Sequence, residues 1–75
     1  MPGHVYRITE VVGTSEVSIA EAVQNAVRRA SQTLKGLEWF EVSDTRGTIA
    51  DGRVGEFQVT VRIGFRLLSD DELRT

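Results

Sequence analysis

Two positions in this chain have side chains suited to chemistry. The lone tryptophan, Trp39, offers a wide, polarisable indole face on which a flat ligand could stack. Pro2 would become a secondary amine at the N-terminus if Met1 were removed, and beside arginines such an amine could act as a general base. These imply different jobs, binding and proton transfer. The chain has no cysteine, so disulfides are excluded. Its one histidine, His4, does not suffice for an internal structural zinc site.

The elements that must hold these groups are few. Seventy-five residues make one domain, spanning 1–75, and 40% of them are hydrophobic, which is globular rather than disordered. A chain this short buries only about 60% of its unfolded surface, so its own core is marginal and it needs a staple. With no disulfide or zinc, oligomerisation is the staple left. His4 to Val12 reads as a strand that Gly13-Thr14-Ser15 breaks. Ser18 and Glu21 form a capping box that starts a helix of about 17 residues. Ile19, Val23, Ala26, Ala30 and Leu34 recur at helical spacing, with Ala22 and Val27 beside them, and Gly36 suits the stop. Leu37 to Ile49 and Arg53 to Leu68 read as two long strands joined by an Asp51-Gly52 hairpin turn. The predicted order is β-α-β-β, an α+β fold. The helix, roughly 25 Å long, is too short to cover a hairpin of roughly 43 Å.

The turn predicts the register. If Asp51-Gly52 is the whole loop, Ala50 pairs with Arg53, Phe40 with Ile63 and Val42 with Val61. These apolar pairs fall on the core face with Phe57, Val59, Phe65 and Leu67, which supports the register. Trp39 then lies on the opposite face across from Gly64, and Gln58 pairs with Thr45. A large aromatic so placed either packs under a neighbouring subunit or stacks a flat ligand. Both hold if the ligand sits in an interface.

A net charge of −2 without a basic run argues against nucleic acid as partner, and the longest apolar run is far too short to span a bilayer. Met1-Pro2-Gly3-His4 lacks a signal peptide's apolar segment, so the expectation is a soluble, cytoplasmic protein without a membrane partner. The acidic stretch from residue 68 to Thr75 reads as a flexible tail in which Leu73 could dock.

Gly13-Thr14-Ser15, the Ser18-capped helix, Leu37-Glu38-Trp39-Phe40-Glu41-Val42, Arg46-Gly47, Phe57-Gln58-Val59-Thr60-Val61 and Gly64-Phe65-Arg66-Leu67 together resemble the corresponding segments of dodecins, small flavin-binding proteins. The resemblance runs over about residues 4 to 68; its weight lies in the ordered set, not in one motif. It implies a three-stranded antiparallel sheet wrapped around one helix, assembled as a homododecamer into a hollow sphere. It also implies flavins stacked in pairs between tryptophans near two-fold axes. On that resemblance Trp39 is the stacking residue and Gln58 the amide that hydrogen-bonds the flavin's pyrimidine edge. Asp44 matches a position near the ring, and Arg46 is the candidate for the phosphate of FMN, its alternative being a solvated strand charge. His4 could assist, or is a frayed terminal residue. FMN is the expected cofactor, with riboflavin or FAD as variants. Arg29 and Arg66 are candidates for coenzyme A binding.

The register adds that Gln58 stands roughly 20 Å along the hairpin from Trp39, so each flavin would contact Trp39 of one chain and Gln58 of another. The expected function is flavin storage, buffering and photoprotection, without a catalytic residue or a metal. Two alternatives stay open. The Met1-Pro2 start resembles that of tautomerases, although Gly3-His4 follows rather than a strand. The chain could also be an oligomeric interaction module without ligand.

Overall fold

Asp51 and Gly52 both have positive φ, 54° and 74°, and Ala50 pairs directly with Arg53. The hairpin turn is therefore the two-residue type that Asp-Gly favours. The computed structural model describes residues 3–68. Their elements are β1 (Tyr6–Ser15), α1 (Ile19–Ser31), β2 (Leu37–Ala50) and β3 (Arg53–Arg66). β3 is the central strand, antiparallel to β1 on one side and β2 on the other. This is the expected α+β order. Pro2 and the tail segment Ser69 to Thr75, with Leu73, lie outside the described residues.

Gly13-Thr14-Ser15 does not break the first strand; β1 runs through it. The glycine there serves a close approach, not a turn. A Cβ on Gly13 would run into the Ala22 carbonyl oxygen and Ala26 Cβ. Strand and helix backbones therefore meet here.

The helix start is also built differently from the expected box. Ser18 Oγ accepts from the Glu21 amide at 3.0 Å, as expected of an N-cap. The return bond goes elsewhere. The buried Ser15 hydroxyl donates to the Glu21 carboxylate at 2.5 Å and accepts from the amides of Val17 and Ser18 at 2.9 and 3.2 Å. The last residue of β1 thus ties the strand to the helix. The helix ends at Ser31, short of the expected Leu34, because the amides of Gln32 and Thr33 turn to the carbonyls of Arg29 and Ala30, three residues back. Gly36, at φ +77°, lies in the link to β2, and its carbonyl accepts from Arg66 N–H at 2.9 Å.

The core sets Ala22, Ala26 and Ala30 against Val59, Val61 and Ile63. Ala22 is its centre rather than a flank, and Ile19 stands 42% exposed. The close contact at Gly13 explains the rotation, since only a stripe of small residues fits there. The helix packs on β1 and β3, and of the inner face of β2 only Leu37 packs against the core. Phe40 does face Ile63 as expected, yet it remains 53% exposed, and Leu67 is likewise exposed. The body is long and thin, 55 × 20 × 13 Å, with a radius of gyration of 15.5 Å. A compact chain of this size would give about 11 Å. The turn end of the hairpin thus extends past the core. Among the described residues no helix is long and apolar enough to cross a membrane.

Candidate functional site

Trp39 pairs with Gly64, on the sheet face turned away from the helix. A Cβ on Gly64 would meet Cε2, Cζ2 and Cδ2 of the indole, so the ring covers the glycine backbone. The missing side chain is what lets it lie there. The indole stays 41% exposed, leaving surface for a second flat group.

The rest of the face depends on bulges. The expected pairing holds from Trp39 to Val42 and then slips, so that Asp44 pairs with Thr60 and Arg46 with Gln58. Gln58 therefore does not pair with Thr45, which faces Val59. Ser43 is the extra residue, and a bulge reverses the facing of the residues after it. Strict alternation from Trp39 would have turned Asp44 and Arg46 toward the helix layer with Phe40 and Val42. The Ser43 bulge instead puts them on the Trp39 face, beside the outward Gln58. A compensating irregularity between Gly47 and Ile49 restores the pairing of Ile49 with Val54 and Ala50 with Arg53. Hence the turn is as expected while the middle of the hairpin is not.

At the far end the polar groups form a chain. Arg46 Nε donates to Gln58 Oε1 at 3.1 Å, and Gln58 Nε2 donates to Glu56 Oε1 at 3.2 Å. Arg46 is thus not a solitary strand charge; it holds the amide beside it. At the Trp39 end a third bulge, between Leu37 and Trp39, leaves Glu38 as the extra residue. Tyr6 Oη donates to Glu38 Oε1 at 3.0 Å, and Arg66 Nε lies 3.6 Å from Glu38 Oε2. The hydrogen bond to the Glu38 carboxylate, aided by slight desolvation and that charge, holds the Tyr6 phenol above its usual range, with Arg66 opposing. His4 Nδ1 lies 3.4 Å from Arg66 Nη1, which places His4 at this end too. Between the two ends Arg62 bridges Glu10 at 3.7 Å and Glu41 at 3.1 Å across all three strands.

The structure therefore gathers the candidates into two groups on one face, Trp39 with His4 and Arg66, and Asp44 with Arg46 and Gln58. Six residues of β3 separate Gly64 from Gln58, roughly 20 Å of strand. One flat ring cannot bridge them within a protomer. Arg29 stands elsewhere, lining a groove of about 590 Å³ between β1 and α1 with Thr9, Val12, Thr14 and Thr33. Arg66 lines a neighbouring groove with Lys35 and Phe65, and Thr33 and Leu34 border both. Tyr6, Glu38 and Glu56 are members of the site that the sequence does not predict. Glu38 is re-aimed by a bulge that alternation does not reveal, whereas Tyr6 and Glu56 lie on the regular outward face of β1 and β3 and nothing in their types marks them.

A sequence model of the dodecin family matches residues 5–68. A curated dodecin of Thermus thermophilus is 51% identical over 65 residues, covering 87% of this chain and 94% of its own. The solved dodecin of Streptomyces coelicolor superposes with a TM-score of 0.87 at 56% identity, covering 93% of this chain and all (100%) of that one. The dodecin of Streptomyces davaonensis gives 0.87 at 47% identity, with 91% and 100% covered.

Proposed function

Because this chain belongs to the dodecin family, we propose that it binds a flavin, FMN with riboflavin or FAD as variants, and acts as a binding protein, not an enzyme. The observation that carries this reading is the indole of Trp39, seated on Gly64 with much of its surface open. The other donor set fits the same ligand. After its bonds to Arg46 and Glu56, the Gln58 amide keeps one N–H and one lone pair, the complement of adjacent C=O and N–H groups on a pyrimidine edge. Arg46 uses Nε on Gln58, so its terminal nitrogens remain candidates for the FMN phosphate, with Asp44 on the same face. His4 is a secondary candidate at the Trp39 end.

The two groups lie too far apart in one chain, so assembly completes the site. The reading is a homododecamer, soluble and cytoplasmic, whose two-fold contacts bring Trp39 of one chain to Gln58 of another. The uncovered hairpin and the thin core support association of the chain with itself. Arg29 and Arg66 stay candidates for coenzyme A only if several chains bring them together.

The bound flavin supplies visible-light absorption. Trp39, in ring contact, is an electron donor that quenches the excited state, which suits storage, buffering and photoprotection. The test is steady light-driven superoxide output from FMN with and without the protein. Suppression is expected; output equal to that of free FMN overturns the photoprotective reading. A purified protein that neither carries nor takes up flavin overturns the whole of it.

A further inference from the structure

Gln58 sits between two charged side chains of opposite sign. Its Oε1 faces the donor Arg46 Nε at 3.1 Å, and its Nε2 faces the acceptor Glu56 Oε1 at 3.2 Å. A primary amide has two orientations about its last torsion, related by exchange of O and NH2. Here the exchanged form would put the carbonyl against a carboxylate and the NH2 against a guanidinium. Neither neighbour can adapt, since an ionised carboxylate only accepts and a guanidinium only donates. Both are charged, so both contacts are stronger than neutral ones. The Glu56 backbone is anchored, its main-chain N–H donating to Thr48 Oγ1 at 3.0 Å, and the residue is partly buried.

We propose that Glu56 is a positioning residue which, with Arg46, locks the Gln58 amide in one orientation and so decides which carbonyl of a bound isoalloxazine the site accepts. The inference rests on the flavin reading for its ligand, but the lock itself exists without ligand. A pyrimidine edge reads C=O, N–H, C=O. A fixed amide meets the central N–H with its oxygen and only one of the two flanking carbonyls with its remaining N–H. A freely flipping amide serves either carbonyl equally. Glu56 thus imposes a direction on an edge that is otherwise nearly symmetric.

The experiment compares wild type with Glu56→Met, which keeps the length and removes the acceptor, and Glu56→Gln, whose carbonyl oxygen can still accept. In the ligand-free proteins the side-chain amide protons of Gln58 are followed by NMR. One is expected downfield in wild type and in Glu56→Gln, and at an ordinary amide position in Glu56→Met. Affinities are then measured for riboflavin analogues with sulfur replacing the oxygen at C2 or at C4. In wild type one analogue should be weakened roughly tenfold relative to the other, the worth of about one hydrogen bond. In Glu56→Met only Arg46 still opposes the exchanged amide, so the difference between the analogues should narrow to about threefold, and Glu56→Gln should retain the asymmetry. A merely structural role would lower both affinities together and leave their ratio alone. Unchanged asymmetry in Glu56→Met, or amide shifts identical in all three proteins, overturns the proposal. If wild type binds no riboflavin, the flavin reading fails, and the amide shifts still decide whether Glu56 holds Gln58.

Discussion

The indole of Trp39 rests on the backbone of Gly64, its direct partner across β2 and β3. The glycine is needed for the space it leaves: it is absent from the glycines with positive φ. Gly64→Ala should therefore fold without backbone strain but displace the ring, because the new methyl would occupy the place of Cε2 and Cζ2. Near-UV circular dichroism and emission from the chain's lone tryptophan report that shift directly. The variant should bind flavin more weakly than wild type. Trp39→Ala removes the platform altogether, with an expected loss of about 1–3 kcal/mol of binding and of the fluorescence quenching. A Gly64→Ala protein with an unchanged tryptophan spectrum would refute the packing described for this pair.

Ser15 makes three hydrogen bonds from one buried hydroxyl, joining the end of β1 to the start of α1. Ser15→Ala removes them and leaves the Val17 and Ser18 amides without that acceptor. The expected cost is about 1–2 kcal/mol, in the range of a lost helix cap. Thermal unfolding at fixed protein concentration measures it, since self-association also moves the midpoint. Ser18→Ala, which loses only the bond to the Glu21 amide, should cost less.

Hydrophobic spacing and turn chemistry were enough to read the element order, the Asp51-Gly52 turn and the pairing of Trp39 with Gly64. They were not enough where a residue is inserted into a ladder. Ser43 and Glu38 carry no mark of a bulge, and each reverses or re-aims its neighbours. Alternation alone assigns Arg46 to the wrong face and Gln58 to the wrong partner. Gly13 misleads for a related reason. A glycine at a close strand–helix approach looks in sequence like a glycine at a turn, and only packing separates them. Only the family resemblance points to Arg46 and Asp44 as site residues, and the Ser43 bulge explains how they reach the Trp39 face.

Tyr6 is the chain's one tyrosine, so tyrosinate absorbance follows it without ambiguity. Its hydrogen bond to Glu38 raises its pKa above the ordinary value of about 10. A raised pKa means that folding favours the neutral phenol. The contribution of the contact is complete below the unfolded pKa, near 10, and is lost as pH rises through the higher folded value. Spectrophotometric titration of the native protein should give a midpoint above that of unfolded chain. Glu38→Gln should bring it back toward the unfolded value. A native midpoint at or below the unfolded one would show that the carboxylate does not hold the phenol in solution.

Trp39 and Gln58 occupy one face but stand roughly 20 Å apart along β3, so the binding site proposed for the flavin must be shared between chains. Complementation tests this more sharply than dissociation does. Trp39→Ala and Gln58→Ala assemblies should each bind flavin poorly. If the two proteins are unfolded, mixed and refolded together, some contacts will join an intact Trp39 from one chain to an intact Gln58 from another. With equal, random mixing and a two-chain site, about a quarter of the sites should recover near-native affinity and quenching. A site built within one chain recovers none, because no chain in the mixture carries both residues. Flavin titration of the mixed assembly, followed by fluorescence, distinguishes the two outcomes. Absence of a high-affinity fraction, with assembly verified by size, would mean that Trp39 and Gln58 do not meet across an interface.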